Sequence, residues 1–308
     1  MENLIDGVEA PKEGIVYYDD IIKVLERKDI STNTLKYLKY LIDGRDAIDM
    51  SGYSGNSTLL ISGNSTNPHG YCIKFASEVE SLKSEKVLLN FFSKFGLTSK
   101  YIDYIQDAED ILITEEIKSP WALTKFTTIT EMASFMGKTL REFHDINWDN
   151  YDMTEEEKNV LSNNGVRIIS ESLKHKEGLG FMADYQNDHN FKEMRNYIKS
   201  NINDYKADDV IIHGDYNPRN VYVKDNQSAG FVDVTDSGFG DRHYDIYWTM
   251  WTISLYLGVQ SDPKKVLECE RAFLSAYGED IIDEKRMNLC KKLNCMYWQE
   301  NNDIKYFR

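Results

Sequence analysis

The chain has 308 residues, 41% of them hydrophobic, so it can bury a sizeable core and is not a disordered polymer by composition. Lys and Arg total 36 against 51 Asp and Glu, a net charge of −15 that repels nucleic-acid phosphates and anionic membranes and suits either plain solubility or a cationic ligand. No apolar run reaches the ~20 residues of a membrane span, the start "MENLIDGVEAPKEG" lacks the basic-then-apolar order of a secretion signal, and Cys72, Cys269, Cys290 and Cys295 form no CxxC or CxxH pair, which argues against zinc and for a reduced, cytoplasmic setting.

Residues 18–42, "YDDIIKVLERKDISTNTLKYLKYLI", read as two short amphipathic helices broken at Ser-Thr-Asn, within an N-terminal extension over 1–45. Short apolar runs near 47–50, 58–62 and 71–75, parted by Gly, Ser and Asn turns, predict an antiparallel meander. Residues 77–95 follow with helical spacing, and Val79, Leu82, Val87, Leu88, Phe91 and Phe92 are the expected core positions. A second hairpin ends in "DILITEEI", whose polar connector near 115–120 divides a sheet-rich lobe (46–117) from a larger, mainly helical one (118–308). In that second lobe "TEMASFMGKTLREFHDI" predicts a helix with Met132, Phe135, Met136, Leu140 and Phe143 on one face, and 191–206, 244–257, 263–276 and 282–300 also read as helices. No internal repeat or low-complexity linker interrupts this order.

Inside the helical half lies "IIHGDYNPRNVYVKDNQSAGFVDV" (211–234), two strand-like runs carrying acids where core side chains are expected. Asn220 and Asp233 follow Asp215 by five and eighteen positions, and a strand-turn-strand path lets all three converge at one end of a hairpin. One Asp can accept a hydrogen bond from an attacking hydroxyl. An Asn oxygen and a second carboxylate are hard ligands suited to Mg2+, which takes a few protein oxygens together with phosphate and water. Those are the parts phosphoryl transfer needs. The alternative is structural: Asp215 and Asn220 capping a turn, with Asp233 paired to a base.

"HGDYNPRN" followed by "GFVDV" resembles the catalytic and metal-binding segments of the aminoglycoside phosphotransferase family of the kinase-like superfamily, and its motifs are nearest to the 3'-phosphotransferases. "GFGDRHYDIYW" and "GKTLREFHDI" are similar to the family's segments after and before that pattern, and the resemblance runs through roughly residues 46–300. It implies an α+β, bilobal protein-kinase-like fold, with a small antiparallel-sheet N-lobe, a larger helical C-lobe, ATP as the donor (GTP as the alternative) and Mg2+. Asp215 then matches the catalytic Asp, Asn220 and Asp233 the metal ligands, and His213 a brace for the loop, while His144 reads as a packed helix-terminal residue. Lys74 in "YCIKF" resembles the kinase lysine on the α- and β-phosphates, with Glu85 its expected partner and Glu78 or Glu80 the alternatives. Ser54 and Gly55 in "SGYSGNST" fall at the phosphate-covering turn, and Glu115 to Ile117 at the hinge whose backbone pairs with adenine.

The resemblance also implies an acidic pocket for a polycationic acceptor. Asp184, Asp188, Glu300 and Asp303 are its candidates, each with a solvated surface acid as the plainer reading. Asp236 is a further candidate and a departure, since the 3'-enzymes commonly carry Arg three positions beyond the metal Asp; here the acid is expected to make the pocket more negative. The chain also ends in Phe307-Arg308 rather than in an acidic-aromatic terminus. The expected product is a phosphorylated aminoglycoside made by a monomer. The alternatives are a metabolic kinase for choline, an amino alcohol or a sugar, and a nucleotide-binding protein without activity.

Overall fold

Alternation of apolar and polar residues builds the first half of the chain, and 3.6-residue periodicity the second. The structure, a computed structural model, describes residues 14–51, 56–174 and 191–297. Two compact units divide after Lys118.

In the first unit six antiparallel strands, β1 (Ile15–Val16), β2 (Ala47–Asp49), β3 (Ser57–Ile61), β4 (Tyr71–Ala76), β5 (Tyr101–Gln106) and β6 (Asp110–Glu115), form one sheet in the order β1-β2-β3-β4-β6-β5. Helices α1 (Tyr18–Arg27) and α2 (Thr32–Ile42) share a core with it: Ile21, Leu25, Leu38 and Ile42 pack with Ile73 and Phe75 of β4 and Ile111 and Ile113 of β6. Because side chains alternate along a strand, Cys72 and Lys74 are set on the face opposite Ile73 and Phe75.

The helix expected over 77–95 is shorter. It runs as α3 (Lys83–Ser93), and Val79 is 53% exposed rather than in the core. Glu80 adopts φ +70, which a helix cannot continue through, and the Leu82 N–H goes instead to the buried Asp110 carboxylate at 3.0 Å. Leu82, Val87, Leu88, Phe91 and Phe92 are buried.

The second unit holds α4 (Ala122–Lys125), α5 (Ile129–His144), α6 (Glu155–Lys174), α7 (Phe191–Asn201), α8 (Arg242–Tyr256), α9 (Pro263–Tyr277) and α10 (Glu284–Tyr297). The five α5 residues assigned to its apolar face are all buried. Helix α6 was not among the expected elements, yet it opens on a capping box: Glu157 N–H donates to Thr154 Oγ1 at 3.2 Å, and Thr154 N–H to Glu157 Oε2 at 2.8 Å. Two antiparallel two-stranded ladders sit among these helices. One pairs β7 (Val210–Ile212) with β10 (Gly238–Gly240), the other β8 (Val221–Lys224) with β9 (Gln227–Phe231). Asp225 and Asn226, at φ 51 and 58, make the two-residue turn that closes β8 on β9. Among the described residues no helix is long and apolar enough to cross a membrane.

Candidate active site

The loop after β7 carries Asp215, and its backbone is held from below. Gly214 turns the chain at φ +84, and a Cβ there would lie 2.6 Å from the Asp236 carbonyl oxygen, so only glycine fits. The buried Asp245 carboxylate on α8 accepts the His213 N–H at 2.6 Å and the Gly214 N–H at 2.9 Å. His144 Nε2 lies 3.2 Å from the same carboxylate, and its Nδ1 is 2.8 Å from the Tyr277 hydroxyl. His213 receives the Asp215 N–H on Nδ1 at 3.2 Å, so Nε2 bears the proton and donates to the Val232 carbonyl at 3.1 Å. With both nitrogens engaged and burial lowering its pKa, this imidazole stays neutral and braces the loop.

The Asp215 carboxylate is half-buried and strongly bonded. Oδ1 accepts Trp248 Nε1 at 2.6 Å and Asn217 Nδ2 at 2.8 Å, and Oδ2 accepts Asn220 Nδ2 at 2.9 Å. Burial, then the Asp233 carboxylate, push its pKa up to about 8 against the pull of the Asn217 and Trp248 bonds. The structure thus brings Asp215, Asn220 and Asp233 to one end of the β8–β9 hairpin. Asn220 spends its amide nitrogen on the Asp215 carbonyl and carboxylate, so its Oδ1 takes no part in those bonds. Asp233 is exposed and held at φ +60, a left-handed conformation rare for a side-chain-bearing residue and concentrated at functional sites. One amide oxygen and one carboxylate suit Mg2+, which keeps water and phosphate in its shell. Among the described residues no group of three or more His, Cys, Asp or Glu side chains is placed to hold a metal ion.

Asp236 does not add bare negative charge as expected. Arg167 of α6 forms an ion pair with its Oδ1 and also donates to the Thr235 carbonyl at 3.3 Å. Asn164, one turn earlier, donates to the Thr235 and Ser237 carbonyls at 2.9 and 2.8 Å. Helix α6 approaches this closely because Gly165 lies against the Phe239 carbonyl, where a Cβ would collide. Trp248, Asn217, Asn164 and Arg167 are site residues that the sequence reading missed.

In the first unit Lys74 Nζ lies 2.7 Å from Glu85 Oε2, with the two side chains 16% and 5% exposed. Glu80 instead faces Lys83 at the surface. At the connector, the Glu115 N–H is committed to the Lys100 carbonyl at 2.9 Å and the Glu116 N–H to the Gly70 carbonyl at 3.0 Å. The Glu115 N–H is thus already taken by the residue that precedes β5, and Ile117 lies two residues past the end of β6. On either side of 52–55 the chain is cross-bonded, Met50 N–H to the Thr58 carbonyl at 2.8 Å and Thr58 N–H to Ser51 Oγ at 3.0 Å. Ser54, Gly55, Asp184, Asp188, Glu300 and Asp303 lie outside the described residues, as do Phe307 and Arg308.

A family model described as the phosphotransferase enzyme family matches residues 51–280. A "Probable aminoglycoside 3'-phosphotransferase" from Lactococcus lactis subsp. lactis (strain IL1403) is 27% identical over 223 residues, which is 71% of this chain and 80% of that protein. Among solved structures, the aminoglycoside phosphotransferase APH(3'')-Id from Streptomyces rimosus superposes with a TM-score of 0.60 at 17% identity, over 87% of this chain and 98% of that one. Its complex with ADP and streptomycin gives a TM-score of 0.56 at 15% identity, over 87% and 100% of the two chains. A Plasmodium vivax ethanolamine kinase covers 99% of this chain and 93% of its own, at 16% identity and a TM-score of 0.57. These likenesses establish an α+β, kinase-like fold.

Proposed function

From a chain that belongs to the phosphotransferase enzyme family, and is a small-molecule kinase of it, we propose an ATP- and Mg2+-dependent enzyme that phosphorylates a hydroxyl of an aminoglycoside. The observation that carries this reading is the bonding of Asp215: Asn220 and Trp248 hold its carboxylate, with Asp233 close enough to raise its pKa. Asp215 orients the acceptor hydroxyl and takes its proton as the oxygen bonds to the γ-phosphorus and ADP departs. Asn220 Oδ1 and Asp233 hold Mg2+, which when bound neutralises phosphate charge and offsets the Asp233 carboxylate, favouring ionised Asp215. Lys74, oriented by Glu85, holds the α- and β-phosphates, and backbone near Ile117 pairs with adenine. The choice of ATP over GTP rests on the family resemblance rather than on any hinge side chain.

An aminoglycoside is a hydroxylated polyamine, so a chain of net charge −15 favours its approach. The curated relative's name supports the same acceptor class. The ethanolamine kinase neighbour supports a second reading, an amino-alcohol acceptor, which shares the cationic head but not the sugar rings. ADP release measured across aminoglycosides, ethanolamine and choline decides between them, and Asp215→Ala is expected to abolish it. Turnover of ethanolamine with none on any aminoglycoside overturns the first reading. Mg·ATP binding without transfer to any acceptor overturns both.

A further inference from the structure

One face of α8 reads the loop 213–216 in order. Asp245 accepts the His213 and Gly214 N–H groups, Trp248 Nε1 donates to Asp215, and Thr249 Oγ1 donates to the Tyr216 carbonyl at 2.7 Å. Positions 245, 248 and 249 share that face by their i, i+3, i+4 spacing. The Trp248 indole is 7% exposed and stacks on Trp251, ring centroids 5.3 Å apart, so packing fixes the direction of its N–H.

We propose that Trp248 is a positioning residue for phosphoryl transfer: with Asn217 it occupies Asp215 Oδ1, leaving Oδ2 as the oxygen that receives the acceptor hydroxyl. This rests on the reading of Asp215 as the base. Oδ1 accepts two bonds, at 2.6 and 2.8 Å, which fills both its lone-pair directions. Oδ2 accepts one among the described residues, from Asn220, and keeps the other direction for a donor. Turning the carboxylate about its terminal torsion would exchange the two oxygens. The indole bond opposes that turn, because a hydrogen bond to an ionised acceptor is short and roughly twice as strong as a neutral one. His213 cannot substitute, since both of its ring nitrogens are engaged.

The test separates the N–H from the ring that carries it. Trp248→Phe keeps aromatic bulk and loses the donor. Trp248→His keeps a five-membered ring with an N–H where indole has Nε1 and loses the benzo ring. In the full chain, with Mg·ATP and kanamycin as probes, or water as the acceptor read by ADP release, W248F is expected to lower kcat about tenfold with KM for ATP within about twofold. W248H is expected to retain more kcat than W248F, the reverse of what a packing role gives. In 15N-tryptophan-labelled protein the indole resonance lost in W248F should be the most deshielded and should move upfield in Asp215→Asn. A W248F variant as active as wild type, a W248H variant weaker than W248F, or an indole resonance unmoved by D215N overturns the proposal. Asp215→Ala with full turnover overturns the base assignment beneath it, and inactive D215A beside active W248F overturns the Trp248 role alone.

Discussion

Replacing Lys74 by Met separates two jobs of the Lys74–Glu85 pair. The ions stand 2.7 Å apart with the carboxylate 5% exposed, so K74M leaves a buried charge without this partner. Removing one member of a buried pair costs about 3 kcal/mol, most of it the penalty on the charge left behind. On the proposed nucleotide-binding role of Lys74, the same variant loses a charge-assisted phosphate contact worth about 2 kcal/mol, or roughly 30-fold in nucleotide affinity. The double variant K74M/E85Q removes that carboxylate charge as well. It should therefore recover most of the lost stability and none of the lost affinity. E85Q alone keeps the cation and loses its orientation, so affinity should fall by less, about fivefold. Urea midpoints report the stability of each full-length variant, and calorimetry with Mg·AMP-PNP reports its affinity. A double variant no more stable than K74M, or a K74M protein that binds nucleotide like wild type, refutes the argument.

A second prediction concerns acid. Burial alone would raise the pKa of Asp241, but bonds from His243 and Arg286 and from the Lys206 and His243 N–H groups outweigh it and hold it at about 2. That is below the unfolded value of ~3.9, so the stabilisation is complete above about pH 4 and is lost as pH falls from about 4 toward 2, roughly 2 kcal/mol in all. Urea midpoints should fall more steeply between about pH 4 and pH 2.5 in wild type than in Asp241→Asn, and equal slopes would show that Asp241 does not titrate this way. A third follows from the Arg167–Asp236 pair, whose side chains are 39% and 18% exposed. Since Arg167 already offsets Asp236, D236N should cost at most ~1 kcal/mol of stability and leave KM for kanamycin within about twofold. A tenfold rise in that KM would return Asp236 to the acceptor pocket.

What could be read from the sequence was what is local along it. Asp215, Asn220 and Asp233 fall within nineteen consecutive residues closed by one tight turn, so their convergence follows from a hairpin alone. The strands were readable because period-two alternation survives in short segments such as "YCIKFA", where Ile73 and Phe75 enter the core and Lys74 does not. Val79 was misread because helical spacing carries no signal of the left-handed Glu80 that delays the helix. Helix α6 had a local signal in "TEEE", where Thr154 and Glu157 stand at capping-box spacing, but its weak apolar stripe hid the helix behind it. The Trp248 and Arg167 contacts had no such signal, because each joins segments tens of residues apart and depends on helix register. The spacing of Asp245, Trp248 and Thr249 does leave a trace: a carboxylate, an indole and a hydroxyl on one face of a mostly buried helix are three polar groups that need partners. A buried helix carrying them must lie against exposed backbone, and the loop with Asp215, whose glycine turn leaves N–H groups unpaired within itself, supplies it. The polar face of α8 and the glycine turn of the loop are therefore one solution to one accounting problem, and the orientation of the Asp215 carboxylate follows from it.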